Sequence, residues 1–124
     1  MRRGMETICR DKQFRRLYRQ GKSVVRPLLV VYYKRNGLKN NRVGITASKA
    51  VGGAVQRNRA RRVIREAYRL LSPRTLPGYD LVFVARGKTP FCKSTQVREQ
   101  LQKQLSEAGV LQPGQDASPV GKMR

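Results

Sequence analysis

The chain is 124 residues long, and 28 Lys and Arg against seven Asp and Glu give it a formal net charge of +21. One domain is expected from that length, and a chain so one-sided in sign repels itself unless a polyanion neutralises it, nucleic acid being the first partner to consider and an anionic membrane surface the second. Histidine is absent, which removes the commonest general base and metal ligand at neutral pH; with only seven scattered acids, the composition argues against a self-sufficient hydrolase.

Residues 1–10 carry arginines but no seven-residue apolar stretch, so no signal peptide is expected. Asp11 reads as the N-cap of a first helix with Phe14, Leu17 and Tyr18 at helical spacing and Gly21 as its stop. Val24 and Val25 suggest a short strand. Leu28 to Tyr33, opened by Pro27, is a β-branched and aromatic run that predicts a buried strand, and such runs are far too short to cross a bilayer. Asn36-Gly37 predicts a turn, and Arg42 to Ala47 is expected as the antiparallel partner strand. A long helix is predicted over Ala54 to Leu71, with Ala60, Val63, Ile64, Ala67 and Leu71 on one stripe. Pro73, Pro77 and Gly78 end it, Tyr79 to Ala85 is a further strand, and Ser94 to Ala108 is a last helix with Val97, Leu101 and Leu105 inward and Gly109 closing it. Residues 112–124 have no periodic core pattern and are expected to be a disordered tail after a single domain over 1–111.

The order helix, two or three strands, helix, strand, helix is an α+β layer, with helices on a mainly antiparallel sheet. The strand–helix–strand unit across residues 42–85 leaves room for one parallel pair. Cys9 and Cys92 are widely separated and without CxxC spacing; two thiols in a reducing cytoplasm are expected ahead of a disulfide, and a zinc site lacks ligands.

Charge is concentrated upstream. Residues 1–74 hold 21 Lys and Arg against three acids, a net of +18, and residues 75–124 hold seven against four, a net of +3. Six of the thirteen residues from 57 to 69 are arginine, opposed only by Glu66. On a helical wheel Asn58, Arg61, Arg62, Arg65 and Arg69 fall within about 100° of each other, opposite the apolar stripe. Like charges at i,i+4 weaken an isolated helix, and the arginine fork binds phosphate bidentately and stacks on bases, so this face reads as a phosphate-binding surface in preference to a solvated one. Arg57 and Arg59 lie on its shoulders, where snorkelling over the core edge is the alternative. Asn58 reads equally as a capping or internally hydrogen-bonded residue. Gly52-Gly53 ahead of the helix, with Lys49 nearby, suits an anion nest but not a P-loop, since GxxxxGK[ST] is absent.

The run Arg57-Asn58-Arg59-Ala60-Arg61-Arg62, preceded by Gly53-Ala54-Val55 and followed by Arg65-Glu66-Ala67, resembles the RNR signature of the bacterial ribonuclease P protein component. Arg42-Val43-Gly44 with Ser48-Lys49, Phe14 and Tyr18 with Gly21-Lys22-Ser23, and Gly78-Tyr79-Asp80 with Ala85-Arg86 match other segments of that family, so the resemblance covers about residues 8–108. Ala50 and Gly53 depart from it, standing where many relatives carry lysine, which implies fewer phosphate contacts from that loop. The resemblance implies an α-β-β-β-α-β-α fold with a left-handed crossover, like the second domain of a small-subunit ribosomal protein. It also implies a cytoplasmic, non-catalytic protein subunit of an endoribonuclease ribonucleoprotein that removes the 5′ leader of precursor tRNA. The partners implied are the catalytic RNA subunit and precursor tRNA, with no membrane and no obligate protein partner, and the Mg2+ is bound mainly by the RNA.

The implied RNA-binding residues are Lys49, Arg57, Asn58, Arg59, Arg61, Arg62, Arg65 and Arg69. The implied leader-binding cleft comprises Phe14, Tyr18 and Tyr32, with Lys12, Arg15, Arg16 and Arg19 holding backbone phosphates beside it. Periodicity alone would put the three rings in the core; the resemblance puts them in a groove where unpaired bases stack. Composition by itself does not separate this function from a structural ribosomal protein. A DNA-binding module is disfavoured by the aromatic groove and by the lack of a two-helix reading head.

Overall fold

The computed structural model of the chain describes residues 5–7 and 11–112, with side-chain surroundings from residue 14 onward. The elements are β1 (Met5–Thr7), α1 (Asp11–Gln20), β2 (Lys22–Arg26), β3 (Leu29–Arg35), β4 (Asn41–Thr46), α2 (Ala54–Leu71), β5 (Tyr79–Ala85) and α3 (Ser94–Ala108). They form one α+β domain with five strands ordered β1-β4-β5-β3-β2.

Three helices and the four longer strands stand where periodicity places them, α2 and α3 over the same residues as expected. Asp11 is the first helical residue of α1. Strand β1, paired parallel with β4, has no counterpart in the expected order; three residues are too short for an alternating pattern to register. Cys9, most of the expected tail (residues 113–124) and the side chain of Lys12 lie outside the described residues.

One expected pairing is corrected. Strands β3 and β4 do not form a hairpin about Asn36-Gly37: β5 lies between them, antiparallel to β3 and parallel to β4. The reason is burial. Leu81, Val82 and Phe83 are each 0% exposed, and only a central strand covers both faces of such a run. The Asn36 turn instead docks onto β5: its backbone N–H donates to Gly78 O at 2.9 Å and its Nδ2 donates to Asp80 Oδ1 at 3.0 Å. The hairpin lies one connection earlier, where Pro27 and Leu28 form a two-residue turn joining antiparallel β2 and β3; Leu28 is thus in the turn, not the strand. The β4–α2–β5 unit supplies the expected parallel pair and β1–β4 a second, so with two antiparallel pairs the sheet is mixed where a mainly antiparallel one was expected.

The sheet separates two apolar layers. Leu29, Val31, Val43, Leu81 and Phe83 point toward α2 and α3, meeting Ala60, Ile64, Ala67, Leu71, Val97, Leu101 and Leu105. Tyr68 joins them, 3% exposed, its ring 5.1 Å from that of Phe83. Burial raises its phenol above the ordinary value, against hydrogen bonds with Thr75 and Asn41 that lower it. On the other face Leu17 of α1 packs with Val82, flanked by Phe14, Tyr32 and Val84. Helix α3 is fastened to the hairpin by polar contacts: Gln104, fully buried, donates from Nε2 to Val24 O and Leu29 O, and Gln100 Oε1 accepts from Leu28 N.

Across β4 and β5, Arg42 donates to both oxygens of Asp80, at 2.8 and 2.7 Å, with the two side chains 22% and 13% exposed. This arginine of the basic half therefore locks strand register. Asp80→Asn is expected to cost about 1.5–3 kcal/mol, the range for removing a charge-assisted bond, read as a lower urea midpoint at unchanged slope.

Candidate nucleic-acid interface

Helix α2 begins from an unusual approach. Ser48 Oγ accepts from Ala50 N at 3.2 Å, closing a short 3-10 turn over Lys49–Val51, and Gly52 follows at φ 143°, ψ −161°, a conformation that disfavours any side chain. Gly53 then caps the helix with extended backbone and no side-chain hydrogen bond. Among the described residues the first N–H groups of α2 consequently have no side-chain cap, in the arrangement that suits an anion. Lys49 beside them is exposed.

From there the buried positions Ala60, Ile64, Ala67, Tyr68 and Leu71 turn the polar face away from the sheet. Asn58, Arg59, Arg62, Arg65 and Arg69 are exposed; Arg57 and Arg61 are half-buried. Two of the arginines have partners within the helix. Arg61 donates to Asn58 Oδ1, so Asn58 makes the internal bond that its sequence position left open. Arg69 pairs with Glu66, which lowers the carboxyl of Glu66 and raises the guanidinium of Arg69. Among the described residues the guanidinium groups of Arg59, Arg62 and Arg65 have no hydrogen-bond or ion-pair partner. Arg57 snorkels, as its shoulder position allows, its Nε buried without a partner; Arg59 does not.

The three rings meet on the opposite face of the sheet. Strand β3 alternates, so Tyr32 points toward α1 while Val31 and Tyr33 point to the main core. Phe14 and Tyr18, one helical turn apart on α1, have ring centroids 6.3 Å apart, and Tyr18 meets Tyr32 edge-on at 4.8 Å. Tyr18 is 42% exposed, so the rings are partly core and partly accessible. Partial burial raises the Tyr18 phenol, opposed by a hydrogen bond with the Thr46 side chain and reinforced by Tyr32.

Register supplies the floor: Tyr32, Val82 and Gly44 lie in one row, and Val30, Val84 and Thr46 in the next. Thr46, Val82 and Val84 were not selected from sequence, and only the alternation in β4 and β5 could have marked them. Arg15, Arg16 and Arg19 are exposed along α1. The structure thus gathers Phe14, Tyr18 and Tyr32 into one aromatic cluster but leaves the arginines of α2 across the sheet from it. The two surfaces are joined by Ala47–Gly53, the seven residues between Thr46 and α2 that include Lys49.

Comparison with known proteins decides the family. The family model described as Ribonuclease P matches residues 3–109. The chain belongs to the ribonuclease P protein family. A ribonuclease P protein component from Caldanaerobacter subterraneus is 39% identical over 107 residues, 86% of this chain and 92% of that protein. One from Clostridioides difficile is 50% identical over 80 residues, 64% of this chain and 70% of that protein. Among solved structures, the RNase P protein of Staphylococcus aureus superposes with a TM-score of 0.75 at 32% identity, covering 85% of this chain and 96% of its own. That of Thermotoga maritima gives 0.73 at 28% identity, covering 82% and 96%. Ribonuclease P proteins therefore share this chain's α+β fold over nearly their whole length. Among the described residues no three His, Cys, Asp or Glu side chains come together, and no helix is long and apolar enough to cross a membrane.

Proposed function

We propose that this chain is the protein subunit of a cytoplasmic ribonuclease P ribonucleoprotein, binding the catalytic RNA through α2 and the 5′ leader of precursor tRNA in the α1–sheet cleft. What supports this most is the two-sided arrangement: cations without partners among the described residues on one side of the sheet and stackable rings on the other, in a chain of this family. A protein with one such surface would bind one RNA; two surfaces allow it to hold two polyanions close together and offset their repulsion. Stacking on Phe14, Tyr18 and Tyr32 is indifferent to base identity, which suits leaders of varied sequence. Lys49, Arg57, Asn58, Arg59, Arg61, Arg62, Arg65 and Arg69 serve the catalytic RNA, and Lys12, Arg15, Arg16 and Arg19 the leader backbone.

Arginines line α2, with Glu66 held by Arg69, and Arg15, Arg16 and Arg19 flank the rings of α1, a set of charges that repels a divalent ion and suits RNA phosphates. RNA phosphates, in this proposal, would hold most of the Mg2+, which would supply a nucleophilic water when bound. The chain's own contribution is to bind, to orient and to neutralise.

The test is reconstitution with the catalytic RNA and a leader-bearing precursor. The chain alone is expected to cleave nothing and, added to the RNA, to lower the magnesium it requires; magnesium-dependent cleavage by protein alone would sink the proposal. Tyr18→Ala is expected to weaken binding of the precursor more than of mature tRNA, and equal losses would remove the leader from the cleft. Arg65→Ala should reduce the slope of log K against log salt by about 0.7–0.9, the value of one phosphate neutralised; an unchanged slope places the RNA on another face.

A further inference from the structure

A third surface lies where the end of α1 meets the edge of the sheet. Lys22, Tyr33, Lys34, Arg35 and Tyr79 line a cavity of about 360 Å³ there, closed on one side by Ala108 of α3. Its composition is neither that of the core nor that of an ordinary charged edge. Tyr33 and Tyr79 are half-buried, packed by one side against the main core. The Arg35 guanidinium carbon stands 5.5 Å from the Tyr79 ring centroid, and the strand register sets Arg35 opposite Tyr79 and Lys22 opposite Tyr33.

Among the described residues no acid lines the cavity, and the described acids nearest in sequence and register are engaged elsewhere. Asp80 is held by Arg42 and Asn36, and Glu107 by Arg26. Among the described residues Lys22 and Arg35 have no ion-pair partner. Two rings and three cations in a concave site of this size offer a π-face for a base and positive charge for the phosphate attached to it, the pairing that holds single-stranded nucleic acid.

We infer that this cavity is a second site for an unpaired RNA nucleotide, its base stacked on Tyr33 beside the Arg35-covered ring of Tyr79 and its phosphate held by Lys22 and Arg35. It rests on the RNA-binding function proposed above and extends it. Helix α1, whose Phe14 and Tyr18 form the cleft, ends at Gln20 and Gly21 on the rim of the cavity. A strand leaving the cleft along α1 therefore reaches the cavity without crossing the core.

The experiment is photo-cross-linking of the full chain with a single-stranded oligoribonucleotide carrying 4-thiouridine, the attachment sites located by fragment-ion mass spectrometry. Cross-links are expected at Tyr79 or Tyr33 as well as at Tyr18 or Tyr32. The double variant Lys22→Gln, Arg35→Gln, which alters exposed cations only, should reduce the Tyr79/Tyr33 yield at least fivefold while the Tyr18/Tyr32 yield persists. Cross-links confined to Tyr18/Tyr32 would overturn the second site and leave the proposed function standing. Absence of cross-links at both places, in a chain whose circular dichroism shows it folded, would overturn the second site and the leader assignment of the α1 rings together. Equal competition by AMP at the oligonucleotide's own nucleotide concentration would make the cavity a mononucleotide site and overturn the strand assignment.

Discussion

Replacing Arg59, Arg62 and Arg65 together by glutamine is expected to weaken association with the RNA subunit about a thousandfold at low salt, at about 1.5 kcal/mol for each charge-assisted bond to phosphate removed. The three side chains make no hydrogen bond or ion pair within the described protein, so nothing in the fold is given up with them. Helix α2 should even gain slightly, since Arg65 lies at i,i+4 from both Arg61 and Arg69 and like charges at that spacing repel. The expected result is thus a large fall in affinity with an unchanged or slightly higher thermal midpoint, checked by filter binding across a salt series and by circular dichroism. Unchanged affinity would remove the α2 surface from the interface. Arg57, Arg61 and Arg69 make weaker tests, because Arg57 is partly buried and the other two hold Asn58 and Glu66.

Phe83→Ala is expected to cost about 3–5 kcal/mol, the range for emptying a buried phenylalanine site, a large part of the total stability of a domain this size. Phe83 is fully buried in the central strand and touches the ring of Tyr68, so its removal loosens the packing between α2 and the sheet that aims the arginine face outward. Equilibrium urea unfolding measures the change, and Phe83→Leu should recover most of it because more of the volume is kept. A cost below about 1 kcal/mol for Phe83→Ala, well under the range for such a cavity, would mean that α2 is held by other contacts.

How far the site could be read from sequence varies element by element. The arginine face of α2 was legible because it needs only one helix: with the apolar stripe from Ala60 to Leu71 set inward, geometry at 3.6 residues per turn sends the arginines outward. Single-sign charge at i,i+4 marked it further. The cleft was legible only in part. Phe14 and Tyr18 share a helix face, but whether they are core or surface depends on how α1 crosses the sheet, and periodicity alone favoured the core.

Thr46, Val82 and Val84 were invisible as cleft residues because each lies on a different strand from Tyr32, and strand order is not written in any one strand. The same limit explains the mistaken hairpin. Asn36-Gly37 between two apolar runs is a hairpin signal by local chemistry, yet β5, arriving some forty residues later, takes the place between them because its apolar run must be covered on both faces.

Local pattern, then, determined this protein's charge, its main helices and strands, and the surface that α2 shows to solvent, since each follows from spacing within one continuous segment. Only the tertiary structure decided which strand lies at the centre, which rings meet, and that the arginines and the aromatic cluster lie on opposite sides of one sheet. Those are outcomes of competition between segments for burial, and residues distant in sequence enter that competition on equal terms with neighbours.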